Sequence, residues 1–329
     1  MENWSLWVNV VHRKKESTVV ALTGGLGNQL FQLAAGLSHS IQHRLILKLD
    51  TKIGAPRKSR NGTPELFELN DFNILFRVDD AKKSFILRKC FNYLLSSGSQ
   101  ARTAGSRLIF RVIKVASEII ISLYSKQKVN LFVSNQLGYV DLLSKKEAFL
   151  IGYFQTYKYF EIPSVKKVIL DIHDPGDESL NPFRQRAIEE LPLVVHVRRG
   201  DYKNEPKFGL LSKYYYEEAI DQQFHNFGYG KIWLFSDEPE SAHNLIPLKY
   251  REEVVQILNF QSSPAKTLQI MKLGKGFVLA NSSFSYWAAQ LSTVPGSRII
   301  TPTPWFKDMV EPRDLINPKW KRINASWEV

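Results

Sequence analysis

The chain has 329 residues, 44% hydrophobic and 23% charged, which is globular composition with length for two ordinary domains. Its one cysteine, Cys90, excludes an internal disulfide framework and suits a reducing compartment, and no apolar run reaches the length of a membrane-spanning helix. The net charge of +12 is concentrated: Lys82, Lys83, Arg88, Lys89, Arg102, Arg107, Arg111, Lys114, Lys126 and Lys128 face one acid, Glu118, so residues 81–128 carry +9.

Taken in chain order, residues 1–15 place an acid before a short apolar patch and basic residues after it, the reverse of a secretory leader. Residues 18–50 predict a βαβ unit, with strand Thr18–Leu22, a glycine turn, helix Asn28–Gln42 and strand Leu45–Leu49. Gly25 and Gly27 lead into that helix, and Asp50 closes the next strand, as in a dinucleotide-binding fingerprint. The third glycine position holds Leu30, which leaves the fingerprint incomplete. The turn offers backbone amides to an anion, and Asn28 and Gln29 add side-chain amides. The alternative is a tight strand–helix turn with Asn28 as N-cap.

The segment SRLIFRVIKVASEIIISLY has helical periodicity, with Arg107, Arg111 and Lys114 on one face and Leu108, Ile109, Val112, Val115, Ile119 and Ile120 in an apolar stripe. It reads either as a basic amphipathic helix meeting anionic lipid or a lipid-linked diphosphate, or as a core-packed helix with a solvated basic face. Nucleic acid is not expected, because no recognised binding module accompanies the charge. A strand at 148–155 and a turn-rich linker at 173–182 follow. Beyond them, strands at 191–198, 231–235 and 276–280 alternate with helical patterns such as YYYEEAIDQQF, a second α/β unit.

Three of these strand ends carry polar groups. His196 and Arg198 alternate with Val195 and Val197 and stand at the carboxyl end of a buried strand, where open α/β sheets bind ligands. Arg198 or Arg199 there can grip a phosphate, while an Arg–Asp pair with Asp201 bracing a turn explains the same residues. Ser236 and Asp237 end the next strand, either to accept hydrogen bonds from a base or ribose or to cap the helix after Pro239. Ser282 and Ser283 precede a helix, either as a phosphate site or as caps.

GGLGNQLFQLA, GYFQTYKYF, HVRRGDY, FSDE, NSSFSYWAA and a PTPWF…DLINPKW tail occur in order over roughly residues 18–322. Together they resemble the alpha-1,2-fucosyltransferase family of inverting, GDP-fucose-dependent glycosyltransferases. Glu238 stands where that family commonly has aspartate, and Tyr286 where it often has tryptophan. The resemblance implies a GT-B-like α/β fold, two Rossmann-like domains facing a cleft. It implies transfer of L-fucose from GDP-fucose to the 2-hydroxyl of a sugar, galactose foremost, in bacterial surface polysaccharide or O-antigen synthesis. It also implies that no metal or other cofactor takes part.

Carried onto this chain, the resemblance puts His196 near the nucleotide, Arg198 and Arg199 at the diphosphate, Ser236 and Asp237 toward guanine and Ser282 or Ser283 toward the phosphates. Asn28 reaches donor or acceptor from the first domain. Asp201 is the candidate base, or equally the residue that orients Arg198. The expected domains are 1–172 on the acceptor side, 173–300 for the GDP-sugar, and a 301–329 tail packing back. The expected partners are an oligosaccharide acceptor, lipid-linked or free, and an anionic membrane surface, with a cytoplasmic location that extends to the inner face of the membrane. Two other readings remain open here: a nicotinamide-dependent oxidoreductase using the Gly25/Gly27 turn, and a non-catalytic sugar- or membrane-binding protein.

Overall fold

A computed structural model describes residues 16–69, 84–95, 104–125, 130–134, 137–143, 147–173, 177–256 and 263–328. The expectation for residues 1–15, and the charges of Lys82, Lys83, Arg102, Lys126 and Lys128, lie outside the described residues. The chain divides into two compact units between Ile169 and Leu170, with Ser59–Thr63 belonging to the second.

The first unit holds β1 (Ser17–Ala21), α1 (Leu26–His43), β2 (Ile46–Asp50), α2 (Ser84–Leu95), α3 (Ala104–Ser125), β3 (Asn130–Ser134) and β4 (Ala148–Gly152), and α4 (Pro163–His173) runs across the division. Its four strands are parallel in the order β2-β1-β4-β3. The predicted βαβ unit is present, with the helix beginning two residues early. The strand expected through 155 ends at Gly152, because Phe154 turns into positive φ (51°). Gly36 lets α1 approach the sheet: a Cβ there would lie 2.5 Å from Val20 and 2.8 Å from Leu47. The close helix–strand contact that a dinucleotide turn assigns to its third glycine is thus made further along the helix, and Leu30 is simply buried.

The second unit holds α5 (Asn181–Glu190), β5 (Leu193–Val197), α6 (Lys213–Phe227), β6 (Ile232–Ser236), α7 (Pro239–Asn244), β7 (Val254–Gln256), α8 (Pro264–Met271), β8 (Gly276–Val278), α9 (Ser283–Gln290), β9 (Arg298–Thr303) and β10 (Lys321–Asn324). All six strands are parallel in the order β10-β9-β8-β5-β6-β7. Counted within this unit, that is the doubly wound order of a Rossmann sheet, with its switch point between β5 and β8. The expected linker is shorter than 173–182: Glu178–Leu180 form a 3-10 turn and α5 begins at Asn181, with Pro182 in its first turn. Residues 301–329 contribute the end of β9 and the edge strand β10 to the sheet.

Burial follows the alternation of the strands. Leu193, Val195 and Val197 join Tyr215, Tyr216 and Ala219 of α6 in one core cluster, which leaves Val194 and His196 on the opposite face of β5. The Tyr215 hydroxyl donates to the Leu279 carbonyl (2.6 Å), and Gln223 Nε2 donates to the Phe277 (3.3 Å) and Arg298 (3.0 Å) carbonyls. Helix and sheet are therefore tied at the strands beside the switch point.

Candidate functional site

The carboxyl ends of β5, β6 and β8 are neighbours, since Val197 pairs with Ser236 and Val195 with Val278. This brings together His196, Arg198, Arg199, Asp201, Ser236, Asp237 and Ser282 at the switch point, as their separate strand-end positions predicted. His196 is buried, and its Nδ1 has no hydrogen-bond partner. Burial, with repulsion from Arg198 added, lowers its pKa to about 3, so the imidazole is neutral at physiological pH. Its ring lies 6.2 Å from that of Phe284 in the first turn of α9.

Arg198 is held from two sides. One nitrogen lies 2.6 Å from Asp201 Oδ1 and another 2.9 Å from Asp237 Oδ2, and its guanidinium sits 5.6 Å from the Tyr202 ring centre. Asp237 also accepts the Arg199 backbone N–H through Oδ1 (3.0 Å). Both oxygens of Asp237 thus make contacts with the β5 loop, and it does not cap α7, whose N-cap is Glu238. Ser236 Oγ accepts the Glu238 N–H (3.0 Å). Gly200 is needed for this closeness: a Cβ there would lie 2.6 Å from Asp237 Oδ2.

Arg199 differs from its neighbour. Both terminal nitrogens bond Glu328, which raises its pKa further, and Nε lies 3.5 Å from Glu238. Its guanidinium ties the C-terminal segment to the loop, and its side chain is the less exposed of the two arginines, 15% against 22% for Arg198. Ser282 is the N-cap of α9, its Oγ accepting the Phe284 N–H (3.3 Å), while Ser283 opens the helix half-buried. Asn281, which the sequence did not single out, donates to the Phe208 carbonyl (2.8 Å) while its own carbonyl accepts the Tyr202 hydroxyl (3.0 Å). That amide fixes the loop after β5 against the end of β8.

Asn28 lies in the first unit, at the carboxyl end of β1, and is not the N-cap of α1; Gly25 is. Its Oδ1 accepts from Gln155 Nε2 (2.9 Å), a pairing across the β1–β4 switch point of that sheet. Gly24, at φ 70°, makes room for Asn28, since a Cβ there would lie 2.5 Å from its Nδ2. Glu65 fills the place a pyrophosphate takes in a dinucleotide fold: its Oε2 accepts the Leu26 N–H at 2.7 Å. The Leu26 amide of that helix N-terminus is therefore already taken, by a buried side chain of the same unit.

Residues 109–324 match the family described as Glycosyl transferase family 11. The chain belongs to that family. As a family 11 glycosyltransferase it is similar to an alpha-1,2-colitosyltransferase of Escherichia coli, 28% identical over 93% of this chain and 99% of the relative. It is also similar to the O-antigen biosynthesis glycosyltransferase WbnK of Escherichia coli, 29% identical over 87% and 93%. A galactoside 2-alpha-L-fucosyltransferase of Caenorhabditis elegans is 28% identical over 53% and 52%. Among solved structures, NodZ alpha-1,6-fucosyltransferase co-crystallised with GDP covers 88% of this chain and 96% of its own at 13% identity and a TM-score of 0.46, a likeness that bears on no residue. Family membership removes the oxidoreductase and the mere binding protein as readings of the whole chain.

Proposed function

We propose that this family 11 glycosyltransferase moves L-fucose from GDP-fucose to the 2-hydroxyl of a galactose unit, with inversion, during O-antigen synthesis. The observation that carries the reading is Arg198, an arginine that follows β5, the strand at the switch point, and is held there by Asp201 and Asp237. In this reading the diphosphate lies between Arg198 and the first amides of α9, with Ser282 and Ser283 alongside. Arg198 neutralises the charge that develops on departing GDP, so the reaction needs neither metal nor cofactor. Neutral His196 supplies a hydrogen bond to the nucleotide end of the donor. Asp201 draws the acceptor proton once the donor has taken Arg198 from it, and Asp237 and Arg199 position the loop. The acceptor is an oligosaccharide on a lipid carrier.

Calorimetry with GDP and UDP in chelator, followed by transfer assays with fucosyl and colitosyl donors on a galactoside, tests this reading. GDP binds without metal, UDP does not, and the fucosyl donor turns over faster. Arg198→Ala loses about 2–4 kcal/mol of transition-state stabilisation, roughly thirtyfold to a thousandfold in rate. Activity that returns only with magnesium or manganese refutes the metal-free reading, and preference for the colitosyl donor refutes the fucosyl one.

A further inference from the structure

The apolar stripe of α3 does not face the core. Ser117 and Ile121 are buried, and Ile121 joins the cluster with Cys90, Phe91 and Leu94 of α2. On the opposite side Leu108, Ile109, Val112, Val115, Ile119 and Leu123 are each 54–74% exposed. Arg107, Arg111 and Lys114 lie at helical spacing along one border between these two faces. A single 22-residue helix therefore has one side packed, one side aliphatic and open, and between them a row of three basic residues followed one turn on by Glu118, net positive by two.

We propose that this face lies on an anionic lipid bilayer, with the aliphatic row in the acyl boundary and the basic row among the headgroup phosphates. No helix among the described residues is long and apolar enough to cross a membrane, so the arrangement is a helix in the interface plane. Charge selects this occupant. The face sits in a stretch of sequence with ten basic residues and one acid, so a second copy of the chain would bring like charges together. A surface of closely spaced phosphates instead attracts Arg107, Arg111 and Lys114, whose long stems reach it while the apolar atoms stay buried. The inference rests on α3 alone and stands or falls separately from the choice of donor.

Vesicle co-sedimentation of the full chain decides it, using phosphatidylglycerol mixed into phosphatidylcholine and phosphatidylcholine alone. The chain binds the anionic vesicles, releases them as salt rises, and leaves the zwitterionic ones unbound. Val112→Ser, Ile119→Ser and Leu123→Ser together lower partitioning about tenfold or more. Arg107→Glu, Arg111→Glu and Lys114→Glu together lower it about a hundredfold or more. Val112, Ile119, Leu123, Arg107 and Arg111 are exposed and Lys114 is half-buried on the border, so the melting temperature of each variant is measured alongside and a folded variant is required before its loss of binding counts. Equal binding to both vesicle types, or unchanged binding by a folded serine variant, overturns the proposal. A wild-type dimer in sedimentation velocity that the serine variant converts to monomer overturns it too, and makes the face a contact between copies.

Discussion

Protonating His196 inside the fold is costly, and the cost is measurable as stability. Its pKa falls from the ordinary 6.5 to about 3, first because burial penalises the imidazolium and then because Arg198 repels it. The unfolded chain takes up the proton near 6.5 and the native chain only near 3, so the folded state loses stability as pH drops through that window and gains nothing above it. From pH 7 to 5 the group spends roughly 1.5 units below its unfolded pKa, about 2 kcal/mol at 1.36 kcal/mol per unit. Urea unfolding at the two pH values, on wild type and His196→Gln, isolates this part from carboxylates common to both proteins. The wild type should lose about 2 kcal/mol more than the variant. Parallel losses in the two proteins refute the buried, neutral histidine.

Gly200→Ala pushes a Cβ against Asp237 and turns the carboxylate from Arg198; transfer should slow about tenfold or more with a small change in melting, and full activity refutes the brace. Asp237→Asn keeps the shape and one hydrogen bond but removes the charge, so kcat should fall more than KM rises; a pure KM effect would return Asp237 to nucleotide reading. Gly36→Ala overfills the α1–β1 contact and should cost about 1–3 kcal/mol in denaturant unfolding, a loss that unchanged stability would contradict. Glu65→Ala strands the Leu26 N–H and should cost a similar amount, about 1–3 kcal/mol, without creating NADH binding in calorimetry.

What the sequence reveals here is what is local. Alternation placed Val195 and Val197 in the core and His196 opposite, and strand-end polar residues marked the switch point because short parallel strands leave few other places for them. Partners distant in sequence were illegible. Glu328 reaches Arg199 across 129 positions and Glu65 reaches Leu26 across 39, so neither the commitment of Arg199 nor the occupied helix N-terminus has a spacing signature. Asp237 looked like a cap or a base reader because its actual partners are on the neighbouring strand's loop. For α3, periodicity identifies an apolar stripe but not the side that the rest of the chain covers. Phe110, Ile113 and Ile121 make a second apolar side, and that is the side turned inward.

The two carboxylates on Arg198 have a consequence for how this guanidinium would meet an anion. Asp201 lies three residues along the chain and its side chain is half exposed, whereas Asp237 is the more enclosed of the pair. An anionic ligand that takes up this guanidinium therefore arrives by exchange: Asp201 yields to water and the incoming oxygen inherits a geometry already set by Asp237. Asp201 and Asp237 together hold a long side chain in one rotamer. The ordering entropy is spent on folding and is not charged again to each binding event. Because one ionic contact replaces another, affinity for such a ligand should respond weakly to ionic strength, in contrast to a site whose arginine waits in bulk water.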